Sequence, residues 1–370
     1  MSFTEQKREE IERYILRKIA LDDKKFIEKA MDSFGISVTS AKRYLKKAVD
    51  EGNVVRREEC VCGYALREEV TEAYAAIEAE GPQEDKIYDL LLREKLTPCG
   101  KAAQRIWQYA CAEMLNNALE HSRGTQIKII LRRNVLYTTV IIVDDGVGVF
   151  RTLMDYMAGH GWKEPDEEDA LVELYKGKIT SDASAHSGEG IFFSSKAVDT
   201  FSIWSGGKIY RCYGGREHTV MENRLLAYAA RLENIGTMVM MTLENETTRN
   251  LAEVFDMYAD EEEGFIRTII PVKEACISGE PVARSQARRI CNRLEQFREV
   301  ILDFDEVEVM GQGFADELFR VYAAAHPQVL LCPIHMKKEV RRMIRHVGRG
   351  QLANNVRLET SDIIVCENNG

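Results

Sequence analysis

The chain of 370 residues is 45% hydrophobic and 30% charged, with a formal net charge of −10. This length is enough for two or three domains, each with its own core. The acidic balance argues against a protein that coats nucleic acid along its whole surface, although one domain can still carry a local basic face.

The nine cysteines are irregularly spaced, which favours free thiols in a reducing compartment. Cys60 and Cys62 have no second pair nearby, so we do not expect a zinc site. No apolar run reaches the roughly 18 residues of a membrane span, and the N-terminus does not look like a cleavable leader. The sequence therefore predicts a cytoplasmic protein without membrane contact.

Residues 1–67 have the pattern of three short helices followed by a hairpin. Isoleucines recur at every fourth position in the first helix, and Gly35 ends the second. Ser37 can cap a third helix over residues 38–51 by accepting from a free backbone amide. Residues 54–66 alternate weakly in polarity, as the strands of a hairpin do.

The third helix has one apolar face and one outward, largely basic face that carries Ser40, Lys42, Arg43 and Lys46. The region resembles a winged helix-turn-helix of bacterial transcription regulators. This resemblance implies that the third helix enters a major groove of DNA, where lysine and arginine contact phosphates and Ser40 or Arg43 contacts bases. The alternative is a solvated face on a module for protein contacts. The acidic Glu58 and Glu59 count against strong phosphate contact by the hairpin.

Residues 68–99 are highly charged with a helical pattern that is interrupted at Gly81 and Pro82. We predict two connecting helices here, which act either as a lever or homodimer contact or simply pack on their own domain. Pro98 and Gly100 then mark a domain boundary, because proline disfavours helix before it and glycine is permissive.

Glu113 and Asn117 lie four residues apart on a helix predicted over residues 101–122, so they share one face. A carboxamide oxygen is a ligand that Mg²⁺ accepts beside phosphate oxygens, and a carboxylate can orient or deprotonate an attacking hydroxyl. The neighbouring Asn116, Glu120 and His121 are interpreted as capping and packing groups at the helix end.

Three further motifs follow in the chain. Asp144-Asp145-Gly146-Val147-Gly148 ends a strand over residues 138–143, which is β-branched throughout and is therefore predicted to be central in its sheet. Gly188-Glu189-Gly190 precedes a helix, and Gly236-Thr237 begins a strand. Glycine permits positive φ and close backbone approach, and the first amides of a helix suit an anion. Taken singly these motifs are weak, since Asp-Asp-Gly is also a common turn.

In this order the motifs resemble the N box, Asp-x-Gly-x-Gly box and Gly-x-Gly box of the gyrase, chaperone, histidine-kinase and mismatch-repair ATPase superfamily (GHKL). The resemblance implies a Bergerat-type α/β sandwich over residues 100–247, with a mixed sheet, that binds ATP and Mg²⁺. It makes Glu113 the residue that activates the nucleophile and Asn117 the Mg²⁺ ligand. The other nucleotide contacts that it implies are Asp144 and Thr237 at the adenine, with Gly146, Gly148, Gly188 and Gly190 in the flanking turns.

Residues 149–187 correspond to the segment that covers the phosphates in this superfamily. Lys178 lies in a basic piece of this lid and is predicted to reach a terminal phosphate.

Residues 248–264 contain an acidic run and are predicted to form a linker, and residues 349–370 a loose tail. Between them, strands and helices alternate over residues 265–348, with one of the strands predicted over residues 307–310, which indicates an α/β domain. This region resembles the STAS-like domain that accompanies some ATPases of this kind, which implies a protein partner. Anti-anti-sigma proteins carry a phosphorylated serine in this region, but no serine or threonine lies between Leu302 and Tyr322, so we expect an interaction module without that switch.

The sequence thus predicts a multidomain α/β protein with a small winged helix domain, a central ATP-binding sandwich and a STAS-like domain. We expect an ATP-dependent regulator whose nucleotide state controls binding to DNA or a partner. A serine/threonine protein kinase of the anti-sigma-factor type and a nucleotide sensor without turnover remain as alternatives. All seven histidines lie at or after His121, which argues against autophosphorylation on an upstream histidine.

Overall fold

Residues 3–67 form three helices and an antiparallel hairpin with a core of their own. The computed structural model describes residues 3–78, 81, 83–179, 188–213, 235–276, 279–348 and 352–358. The Ser37 side chain accepts a hydrogen bond from the Ser40 amide at 3.2 Å, which confirms the predicted helix cap. The elements are α1 (Glu5–Ala20), α2 (Phe26–Phe34), α3 (Val38–Asp50), β1 (Val54–Arg56) and β2 (Tyr64–Leu66).

This N-terminal unit is attached to the central sheet through an ion-pair cluster. Arg13 and Arg17 contact the Glu244 carboxylate with N–O distances of 2.7 and 2.9 Å. Burial alone would raise the pKa of Glu244, but the hydrogen bonds from the two arginines outweigh it and lower the pKa. Leu136, in the turn between two sheet strands, is part of the N-terminal core. The unit is therefore fixed against the sheet rather than tethered.

Residues 69–76, predicted as the first connecting helix, instead form an edge strand, β3 (Glu69–Ala76). This strand pairs antiparallel with β4 (Gln126–Arg133). The helix prediction was wrong because the glutamates that suggested it pair across the two strands. Glu72 contacts Lys128 at 2.9 Å and Glu69 contacts Arg133 at 2.7 Å.

The second predicted connecting helix is present. It consists of Glu84–Tyr88, a π-helical turn Asp89–Arg93 and Glu94–Leu96, together called α4. Buried Ile87 and Leu92 show that α4 packs on the central core.

Among the described residues, the central sheet has six strands in the order β3-β4-β5-β8-β6-β7, and every pair of them is antiparallel, so the expectation of a mixed sheet was wrong. The central position of the β-branched strand β5 is confirmed. In the β5–β8 pair, Asp144 lies opposite Thr237, which brings two predicted site residues side by side. The remaining strands are β5 (Tyr137–Asp144), β6 (Thr200–Ser205), β7 (Lys208–Tyr213) and β8 (Thr237–Glu244).

Helices pack on one face of this sheet around a core that includes Trp107, Phe150 and Phe192. A smaller apolar cluster, with Ile130, Ile141 and Met240, lies on the opposite face. Alternate strand residues therefore point to different cores. The helices are α5 (Lys101–His121), α6 (Val149–Gly159), α7 (Glu167–Lys176) and α8 (Gly190–Ala197).

The predicted linker is structured. It contains α9 (Leu251–Tyr258) and a short hairpin of β9 (Ala259–Asp260) and β10 (Gly264–Phe265), with the acidic run in its turn. Val254 and Tyr258 are buried in the same core as the central domain. The linker prediction failed because these apolar residues pack.

The C-terminal unit has a three-stranded parallel sheet of order β11-β12-β13 with intervening helices, so the predicted alternation is confirmed. A further strand expected at residues 307–310 is absent. No helix among the described residues is both long and apolar enough to span a membrane. The elements are β11 (Arg267–Pro271), α10 (Val272–Ala275), α11 (Arg284–Cys291), β12 (Glu299–Asp303), α12 (Gln312–Asp316, Glu317–Tyr322 and Ala323–Ala325), β13 (Leu330–Ile334) and α13 (Lys338–Val347).

Candidate functional site

The four predicted motifs meet at one cavity of about 320 Å³ between α5, the β5–β8 strand pair and the start of α8. Its polar lining includes six of the predicted nucleotide residues, namely Glu113, Asn117, Asp144, Gly188, Gly190 and Thr237. Its apolar walls come from Ile142, Val149, Leu153, Leu174, Ile179, Ile191, Ile203 and Val239. An enclosed apolar wall with a few convergent polar groups is typical of a small-molecule site.

Helix α5 presents Glu113 and Asn117 to the cavity because its opposite face is anchored in the core by buried residues such as Cys111 and Leu115. The Glu113 carboxylate approaches the backbone of Gly190 so closely that a Cβ at position 190 would overlap one of its oxygens. Because glycine has no Cβ, the Glu113 carboxylate can lie directly against the backbone at the start of α8.

Asp144 is a fixed acceptor in the cavity wall. It is only 5% exposed, and its Oδ1 atom accepts hydrogen bonds from the amides of Gly146 (2.9 Å) and Thr237 (3.2 Å). Burial raises the pKa of Asp144, and the two hydrogen bonds oppose this rise. Because both amides contact Oδ1, the orientation of the carboxylate is set before any ligand binds.

The glycines after Asp144 shape the turn without lining the cavity. A Cβ at Gly146 would overlap the carbonyl of Ser122. Gly148 has φ +90° and precedes α6, and a Cβ there would overlap the Ser205 hydroxyl. The Thr237 hydroxyl accepts from the Val149 amide at 3.0 Å, so the start of α6 is tied to the same corner of the site.

Asp145 lies outside the cavity lining and has a structural role. Its carboxylate accepts hydrogen bonds from the Thr125 amide (2.7 Å), the Thr125 hydroxyl (2.6 Å) and the Gln126 amide (2.9 Å). These bonds lower the pKa of Asp145 and fix the start of β4 beside the turn.

The Gly188 to Gly190 segment opens α8 directly onto the cavity. Gly188 has φ +74°, a conformation that favours glycine. The first amides of α8 and the positive end of its dipole therefore lie where an anion can be held. Ser187 and the rest of residues 180–187 lie outside the described residues.

Lys178, predicted to reach a phosphate, is not among the residues that line the cavity. Its ammonium donates to the carbonyl of Gln296 at 3.1 Å and lies 4.8 Å from the ring centre of Phe297 and 5.4 Å from that of Phe265. Burial lowers the pKa of Lys178. The structure thus brings Lys178 to the C-terminal unit, where aromatic faces attract the cation, and not to the other predicted site residues.

Sequence reasoning assigned Asn116 and His121 to helix-end packing, but both line the cavity, as do Ser122 and Thr152. The signal was present for His121, since it follows Asn117 by four residues and so lies on the same helix face. Among the described residues, no three histidine, cysteine, aspartate or glutamate side chains are grouped so that they could hold a metal ion.

The four predicted DNA-contact residues lie on α3. Lys42, Arg43 and Lys46 are exposed, whereas Ser40 is half-buried and its hydroxyl accepts from Ser37 Oγ at 3.1 Å. The buried face of α3 carries Ala41, Leu45 and Ala48, which confirms the predicted division of this helix into two faces.

Comparison with known families defines one part of the chain. The structure is that of a mixed α/β protein of several domains. Residues 286–341 match the family described as a STAS-like domain of unknown function (DUF4325), so the C-terminal unit is a STAS-like domain, as predicted. No curated protein matches the chain.

Proposed function

We propose that residues 100–247 are a GHKL-type ATP-binding domain, and that the protein is a DNA-binding regulator whose nucleotide state controls its contact with DNA or a partner. The observation that carries this proposal is the convergence of the Glu113–Asn117 helix, the Asp144 turn, the Gly188–Gly190 segment and Thr237 on one cavity. These segments are distant in the sequence, and a shared cavity is what a single nucleotide site requires.

Each group in the cavity suits one part of Mg-ATP. Asp144 accepts from the exocyclic amine of adenine, which guanine does not offer at that position, and the apolar walls exclude water from the base. The first amides of α8 hold phosphate oxygens, and Asn117 supplies an oxygen to Mg²⁺. Mg²⁺ neutralises charge on the phosphates when it is bound. Glu113 takes a proton from the attacking water, whose oxygen bonds to the terminal phosphorus as the bond to the ADP oxygen breaks.

Isotope-labelled ATP separates this proposal from its alternatives. Release of labelled phosphate without labelled protein is the expected result for an ATPase. Label on an added or co-purified protein would instead indicate a kinase, since Glu113 can equally deprotonate a serine hydroxyl. Binding without either product would indicate a nucleotide sensor.

Asn117→Ala is expected to weaken Mg-dependent ATP binding about tenfold or more, because the metal loses a protein oxygen, a difference on the order of 1.4 kcal/mol. Calorimetric titration with and without Mg²⁺ measures this. The matched control is Gln108→Ala, an exposed residue on the same helix. Equal Mg-ATP affinity in Asn117→Ala and the unsubstituted protein would show that Asn117 is not the metal ligand.

Arg43→Ala and Lys46→Ala are each expected to weaken binding to duplex DNA. Each should also reduce the slope of the logarithm of the binding constant against the logarithm of salt concentration by the contribution of about one phosphate contact. Gel shifts with a pool of random-sequence duplexes at two salt concentrations measure both quantities. Arg105→Ala removes an exposed positive charge from the central domain and serves as the control. If all three variants behave alike, α3 is not the DNA-contacting surface.

A further inference from the structure

Helix α7 lies between the nucleotide cavity and the STAS-like domain and contacts both. On the cavity side, Leu174 of this helix and Ile179 just after it form part of the wall. On the other side, Glu173 and Lys176 contact the end of α11 in the C-terminal unit. Every residue from Ala170 to Lys176 is buried. The helix therefore has no solvent layer separating it from either neighbour along this stretch.

Lys176 lies at the centre of the contact between α7 and the end of α11, which we call the joint. Its side chain is fully buried, and Nζ donates to Glu173 Oε1 (2.5 Å), the carbonyl of Asn292 (2.5 Å) and the carbonyl of Arg289 (3.1 Å). An ammonium group has three donors, so all three are used. The two carbonyls lie at the C-terminal end of α11, where the helix dipole favours a cation. Burial lowers the pKa of Lys176, and the Glu173 carboxylate opposes this.

Arg289 attaches the other end of α7. Its guanidinium contacts the carboxylates of Asp166 (2.5 Å), Asp169 (3.1 Å) and Glu168 in the first turn of the helix. The Thr268 hydroxyl of β11 donates to the carbonyl of Lys176 at 2.9 Å. Both ends of α7 are thus held by the C-terminal unit, and the Lys178 contacts described above extend the attachment beyond the helix.

The charges in this joint determine how it can move. Removing one partner from a buried ion pair is strongly destabilising, because the remaining charge has no solvent. The Glu173–Lys176 pair lies within α7, and the contacts that cross to the C-terminal unit are the Glu173–Arg293 ion pair at 3.4 Å and the hydrogen bonds from Lys176 to the carbonyls of Arg289 and Asn292. Separating α7 from the end of α11 would break all of these contacts. Since α7 also forms part of the cavity wall, a ligand that repositions this wall acts on the STAS-like domain at the same time.

We propose that the STAS-like domain positions α7 over the nucleotide through Lys176 and Arg289, so that nucleotide binding and docking of this domain stabilise each other. The inference rests on the nucleotide site proposed above. Coupling is reciprocal, so loosening the joint lowers nucleotide affinity, and nucleotide tightens the joint.

Arg289→Ala tests the coupling, with Arg288→Ala as its matched control. Arg288 is on the same helix but pairs with Glu317 inside the STAS-like domain. The probe is Mg²⁺ with the β,γ-imido analogue of ATP, measured by calorimetry. We expect Arg289→Ala to lower the affinity about five- to tenfold, the lower range of measured coupling between sites, and Arg288→Ala to leave it within about twofold. Hydrogen exchange in α11 is expected to slow on nucleotide addition in the control variant but not in Arg289→Ala.

Arg289→Lys keeps the charge but loses the planar fork, so we expect an intermediate affinity; this variant also serves if Arg289→Ala does not fold. Equal affinity in Arg289→Ala and Arg288→Ala would overturn the coupling and leave the ATP site intact. Failure of the unsubstituted protein to bind nucleotide would overturn the proposed function itself, and with it the coupling.

Discussion

Glu113→Gln is expected to slow ATP turnover by about 10²–10⁴-fold while ATP affinity stays within about threefold, because a positioned general base contributes that much to rate and little to binding. The glutamine keeps the size of the side chain beside Gly190, where the structure leaves no room for a larger group. Phosphate release under saturating ATP measures the rate, and calorimetry measures the affinity.

Glu120→Gln is the matched control for this experiment. Glu120 lies two helical turns further along α5, is exposed and does not line the cavity. Its replacement is expected to leave turnover unchanged. If Glu113→Gln turns over ATP at the rate of Glu120→Gln, Glu113 is not the base.

Asp144→Asn is expected to lower ATP affinity by about 5- to 150-fold and to improve GTP relative to ATP. The amides of Gly146 and Thr237 both donate to Oδ1, so the carbonyl oxygen of the new asparagine has to occupy that position. The NH₂ group then faces the ligand. It opposes the adenine amine, which is also a donor, but it can donate a hydrogen bond to the O6 acceptor of guanine. When buried polar groups of the site and the ligand are mismatched, the binding free energy weakens by at least the cost of an unmade hydrogen bond, about 1–3 kcal/mol.

The pH dependence gives a second measure of the same residue. Burial raises the pKa of Asp144, and adenine binding needs the ionised carboxylate. ATP affinity in the unsubstituted protein should therefore be full above this raised pKa and fall as the pH drops through it, whereas Asp144→Asn should lack this step. Asp145→Asn changes the adjacent carboxylate, which holds Thr125, and serves as the control. If ATP and GTP affinities are unchanged in Asp144→Asn, this carboxylate does not contact the base.

The cavity residues were predictable because their positions are set by local rules. Asp144 follows a continuous apolar strand, Glu113 and Asn117 share a helix face, and Gly188 and Gly190 precede a helix. Each rule depends on residues within one or two turns of the motif. Four such local patterns in a known order were enough to predict residues that line one cavity.

The errors have a common physical origin in contacts between distant parts of the chain. Strand β3 was predicted to be helical because its pairing partners, such as Arg133, lie more than fifty residues further along. Lys178 follows Gly177 within the lid segment and so has the appearance of a phosphate ligand, yet its acceptor is the carbonyl of Gln296. Periodicity cannot reveal such partners, because the choice between local and tertiary contacts is made only in the folded chain.

The edge strand β3 also determines where the central domain begins. The motifs alone suggest a domain that starts near residue 100, yet such a fragment would lack both β3 and α4. Strand β4 would then present an uncovered row of backbone donors and acceptors, which invites intermolecular strand addition. A soluble truncated form should accordingly retain the chain from about residue 68, and a proteolytic nick between residues 76 and 84 would leave the two pieces associated through the sheet.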